Sequence, residues 1–159
     1  MTSDQGSLWQ QQVPGHACSM ADAGAEPAPL LRGTTFTFDY LAALLPLFFV
    51  LRLNAACSSI RVADGELAVR MGWAFSARVP LARVRAVAPD GGFVGGIGVH
   101  GFGSSWLVNG SHRNIVRVEV PDGAPARVCG VPLTLRVLRI GVAERDAFVA
   151  AVRAGSADE

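Results

Sequence analysis

The chain has 159 residues, half of them hydrophobic and only 17% charged, with a formal net charge of +1. That is enough apolar material for one compact core. It leaves no long-range field to steer nucleic acid or an anionic membrane. The basic residues are all arginine. Cys18, Cys57 and Cys129 are odd in number, far apart and not arranged as CxxC pairs. They read as neither a disulfide framework nor a zinc site, and they fit a reducing cytoplasmic setting.

Residues 1–33 are polar and rich in small residues, with Pro14, Pro27 and Pro29. They are expected to form a disordered N-terminal extension. They lack the basic start and apolar core of a secretory signal, and Met20 is an alternative start to Met1. Residues 34–154 are expected to form one domain, with 155–159 as a flexible tail. The apolar stretch 40–51, YLAALLPLFFVL, is twelve residues long and interrupted by Pro46. A spanning helix needs about twenty residues, and extending the stretch to Cys57 embeds Arg52. The leading reading is a buried core segment. The alternative is membrane association through 40–57, with Leu45, Phe48 and Phe49 in contact with lipid.

Residues 58–88 carry strand patterns. In SSIRVA, Ile60 and Val62 alternate with Ser59, Arg61 and Ala63; Asp64-Gly65 is a hairpin signal; ELAVRM then puts Leu67, Val69 and Met71 on one face. Trp73, Phe75 and Ala77 alternate in the next run, and PLARVRAVAP turns Val84 inward with Arg83 and Arg85 outward. Residues 114–120 alternate again, Pro121-Asp122-Gly123 has the composition of a turn, and 126–142 supplies one or two more strands. The last segment, AERDAFVAAVRA, has helical period with an apolar stripe of Ala147, Phe148, Ala151 and Val152. Several short antiparallel strands closed by a C-terminal amphipathic helix are therefore predicted.

The run 91–111, GGFVGGIGVHGFGSSWLVNGS, holds eight glycines with Phe93, Phe102 and Trp106 set among them. Repeated glycine carries an entropic cost, so this run is read as an ordered, specifically shaped loop. Residues 96–101 spell G-x-G-x-x-G, but the following FGSSWLVNGS cannot open the helix that a dinucleotide's pyrophosphate requires. No kinase motifs follow either. His100, His112, Ser104, Ser105 and Ser111 form no nucleophile elbow, and Ser111 and His112 point apart on a strand. The histidines with Cys129 fit no metal-ligand spacing. No catalytic residue, cofactor or metal is therefore expected. Phe93, His100, Phe102, Trp106 and Asn109 are the candidate interaction surface, with the aromatics either displayed to a partner or plugging the open end of a small barrel. Asn109-Gly110-Ser111 matches a glycosylation sequon but is read as turn chemistry. Arg61, Arg70, Arg83, Arg85 and Arg117 are read as a solvated sheet face.

Strand hairpins followed by a terminal helix resemble the bacterial pleckstrin-homology-like domains, through SSIRVADGELAVRMGWAFSARVPLARVRAV. More specifically, GIGVHGFGSSWLVNGS, RVCGVPLTLRVL and AERDAFVAAV look like a family of uncharacterised actinobacterial proteins. The resemblance covers roughly residues 36–153. In that family an acidic-Pro pair is expected to open the last helix, where Arg145-Asp146 stands here. The resemblance implies a small PH-like barrel or sheet and no reaction. The expected function is a non-enzymatic binding module for an unidentified protein partner or for self-association, in the cytoplasm, without nucleic acid.

Overall fold

The computed structural model describes residues 33–44, 47 and 56–157. Leu45, Phe48 and Phe49, and almost all of the 1–33 extension, lie outside the described residues. Nine strands make one sheet: Thr34–Phe36 (β1), Ser58–Ala63 (β2), Glu66–Met71 (β3), Phe75–Pro80 (β4), Ala86–Pro89 (β5), Gly98–Phe102 (β6), Ser105–Asn109 (β7), Ile115–Val128 (β8) and Val131–Gly141 (β9). One helix, Arg145–Ala157 (α1), follows them. The spatial order is β1-β2-β3-β4-β8-β9-β7-β6, with β5 also paired to β8. The mainly β reading with a C-terminal helix holds. Of the small barrel or sheet expected, the structure has the sheet: it is open, ending at β1 and β6, and does not close into a barrel.

Local chemistry accounts for most of the strand order. Asp64 and Gly65 take φ 53° and 71°, both positive as a two-residue hairpin loop requires, and so join β2 to β3. Cys129 and Gly130 do the same between β8 and β9, at φ 49° and 82°. Ile60, Leu67, Val69, Met71, Ala77 and Val79 then fall on one buried face. Helix α1 lays Phe148, Val149 and Val152 on the core. Phe148 meets Phe36 edge-on, with ring centroids 5.4 Å apart. The buried helical stripe includes Val149, whereas Ala147 is exposed. The helix also runs to Ala157, past the predicted boundary at 154.

Three features depart from the sequence reading. The chain does not reverse at Pro121-Asp122-Gly123. Instead β8 bulges there, its register against β9 shifting between Glu119 and Ala124, so that its first half pairs β5 and its second half β4. Strands β7 and β9 pair in parallel, within an otherwise antiparallel sheet. Trp73 sits in the β3–β4 connection and is largely exposed.

Beyond β1 the chain crosses to the other half of the sheet. Phe38 bridges Val142 and Tyr40 bridges Gly110. The Leu41 N–H donates to the Gly110 carbonyl (2.8 Å), and the Ala143 N–H donates to the Thr37 carbonyl (2.9 Å). Burial raises the pKa of Tyr40, against the opposing effect of a hydrogen bond with Ser58. Cys57 is disulfide-bonded and Cys129 is an exposed free thiol. The reading that the cysteines form no disulfide is thus corrected, and with it the argument from cysteine for a reducing compartment.

Candidate functional site

The glycine-rich run is a β-hairpin, β6–β7, preceded by a short loop over residues 91–97. Gly103 takes φ 61° at the first position of the two-residue turn, where glycine avoids the clash of a Cβ. Gly101 faces Trp106 across the hairpin. A Cβ on Gly101 would stand 2.6 Å from Trp106 Cδ2 and 2.8 Å from its Cα. Glycine is therefore needed here because the Ser105 carbonyl, the Trp106 backbone and the indole all close over this position. Trp106 Nε1–H donates to the Gly103 carbonyl (3.0 Å), and the half-buried ring packs against the core. Trp106 thus pins the hairpin, and with the sheet open it plugs no barrel.

Asn109 is fully buried. Its Oδ1 accepts from the Gly98 N–H (3.1 Å), while Nδ2 donates to the carbonyls of Gly96 (3.1 Å) and Ser111 (2.6 Å). Ser111 in turn donates through Oγ to Asp39 Oδ2 (2.8 Å) and accepts from the Arg113 N–H (3.1 Å). Asn114 Nδ2 reaches the same Asp39 oxygen at 3.3 Å. The sequon residues form a polar node that locks three chain segments together. Asn109 is structural here and offers nothing to a partner.

The loop that carries Phe93 is shaped by one arginine. Arg139 Nε donates to Asp90 Oδ2 (2.6 Å), and both terminal nitrogens donate to the Phe93 carbonyl (3.1 and 3.2 Å). Asp90 Oδ1 accepts from the Gly92 N–H (2.8 Å), closing a local turn. Burial of the Asp90 carboxyl acts to raise its pKa, but the Gly92 N–H and the Arg139 and Arg117 charges outweigh it and hold the pKa below the ordinary aspartate value. Sequence reading missed Asp90 and Arg139, since only the fold brings residues 49 positions apart together.

The result is two displayed aromatics on an ordered scaffold: Phe102 is 93% exposed beside the hairpin turn, and Phe93 is 89% exposed on the loop. His100 is exposed on the same strand face as Phe102. Its Nε2 lies 2.6 Å from the Ile97 carbonyl, which places a proton on that nitrogen. Of the five predicted surface residues, the fold presents Phe93, His100 and Phe102 to solvent, half-buries Trp106 and buries Asn109.

Among the described residues, other candidates are held in local contacts. A shallow cleft of about 270 Å³ lies between residues 82–85 and 121–122, where Arg83 donates to the Gly123 carbonyl (3.2 Å). Arg117 pairs with Glu119 at 2.8 Å. Arg61, opposite Thr35 on β1, and Arg70, bonded to the Gly72 carbonyl (3.3 Å), stand on the face away from α1. Among the described residues no group of three or more His, Cys, Asp or Glu is placed to hold a metal, and no helix is long and apolar enough to cross a membrane. No family model matches the chain, and neither does any curated protein or solved structure.

Proposed function

We propose that this chain is a non-enzymatic binding module, acting through the β6–β7 hairpin and the loop before it on a protein partner. The observation that carries the reading is the display of Phe102 and Phe93. Two large apolar side chains stand almost wholly in solvent, while the backbone beneath them is fixed by the Trp106 pin, the Asn109 node and the Arg139 fork. Exposed aromatics on a rigid support lose little entropy on binding and are the usual anchors of protein interfaces. The likeness to PH-like domains, and to the actinobacterial family within them, belongs to this proposal. It is supported by the run of hairpins followed by a terminal helix.

The test is affinity capture with tagged full-length protein and a Phe93→Ser/Phe102→Ser variant. Both sites are exposed, so stability should stay within about 0.5 kcal/mol of wild type, while specific capture is lost. A variant that folds equally well and captures the same partners would remove the hairpin from the reading.

A further inference from the structure

We infer that β6 is a self-pairing edge, and that two copies of this chain join through antiparallel β6–β6 contact centred on His100. The inference rests on reading the hairpin as a binding surface, and names the partner as a second copy.

The hydrogen-bonding pattern comes first. In a hairpin with a two-residue loop, Phe102 and Ser105 flank the turn as a hydrogen-bonded pair, and bonded and non-bonded pairs then alternate. Phe102, His100 and Gly98 therefore aim their backbone groups at β7. Val99 and Gly101 aim theirs away from it, at the end of the sheet. Among the described residues nothing else bonds them. An open edge is normally guarded by lysine, proline, inward charge or a covering element. Gly98-Val99-His100-Gly101-Phe102 has neither charge nor proline. The opposite end of the sheet is guarded, because β1 is only three residues long and runs on into the crossing segment.

The side chains select the occupant. If a second β6 pairs antiparallel about His100, Val99 faces Gly101 of the other copy and Phe102 faces its Gly98. Val99 then meets a glycine, and each copy's Val99 and Gly101 form a bonded pair with the other's, four hydrogen bonds in all by symmetry. The two His100 residues meet as the non-bonded pair on the axis. Phe102, 93% exposed in one copy, is covered by the partner's His100 ring, which lies over the partner's buried Gly98. A shift of one residue would turn the outward backbone groups away from each other, so this register satisfies both the hydrogen bonds and the steric fit.

The experiment uses full-length protein. Sedimentation from micromolar to submillimolar concentration should show a reversible monomer–dimer equilibrium, shifted to monomer by at least tenfold in Phe102→Lys, whose exposed site leaves folding untouched. In a Cys129→Ser background, His100→Cys should form an intermolecular disulfide under mild oxidation. Non-bonded antiparallel partners lie about 4.5 Å apart at Cα, within the range a disulfide spans. Phe102→Cys should not, because its two copies lie about 14 Å apart along the strands. A chain that is monomeric throughout, with no cross-link through His100→Cys, overturns the pairing. So does a dimer that survives Phe102→Lys and fails to cross-link. In either case the capture experiment with Phe93→Ser/Phe102→Ser still decides the binding-module reading separately.

Discussion

Asn109 satisfies a donor and two acceptors from inside the core, and each of those groups would be stranded without it. Asn109→Ala should therefore cost about 2 kcal/mol or more, the usual penalty for leaving buried polar groups unpaired. Urea unfolding would measure it, and a loss below about 0.5 kcal/mol would mean that the node is dispensable. The sequence made Asn109 visible but mis-sorted it. Asn-Gly-Ser reads as a turn on a surface, and only the crossing of residues 37–41 over the hairpin base buries it. Gly101 was legible as a glycine that needs a reason, yet the reason, an indole lying across it, is a cross-strand contact that no local pattern encodes. At the Asp64-Gly65 turn, by contrast, the whole cause is local, and reading and structure agree.

At the scale of elements, the loop over 91–97 depends on an ion pair that fails in acid. The pKa of Asp90 is depressed in the folded chain, so its contribution is full above the ordinary aspartate range and is lost as the pH falls through that range and below it. Stability should decline on acidification, and Asp90→Asn should reduce the size of that decline in urea midpoints measured at neutral and acid pH. An unchanged acid slope in the variant would assign the effect to other carboxylates. Strand β6, residues 98–102, carries the pattern of a loop because glycine weakens strand propensity. It pairs all the same because Trp106 fills the surface that Gly101 leaves bare. The parallel β7–β9 pairing joins residues about thirty positions apart without a crossover helix, so no period in the sequence announces it. Helix α1 is legible from its 3.6 period, and the exchange of Ala147 for Val149 on its buried face follows from its packing on β5 and residues 81–83.

For the molecule as a whole, the strands and α1 enclose one core, while Arg70 and the hairpin's Phe102 stand in solvent. A chain whose described core is this complete should remain in the supernatant when expressed full-length and fractionated. Recovery in a membrane pellet that resists a carbonate wash would assign residues 40–57 to lipid and overturn the single-domain organisation. The hairpins and helix of this architecture were readable because their causes lie within a few residues. The openness of the sheet was not, because it depends on where the first and sixth strands end up relative to each other.

The crossing of residues 37–41 from β2 to the ends of β9 and β7 has a consequence in time. Thr37 meets Ala143 and Glu144, 106 and 107 positions later, so on the ribosome this segment emerges long before its partners exist. The β2–β3–β4 meander can form during synthesis, while the segment that clips the two halves together waits for residues 110 and 141–144. Docking of residues 37–41 is therefore a long-range closure that cannot precede the making of Ala143 and Glu144.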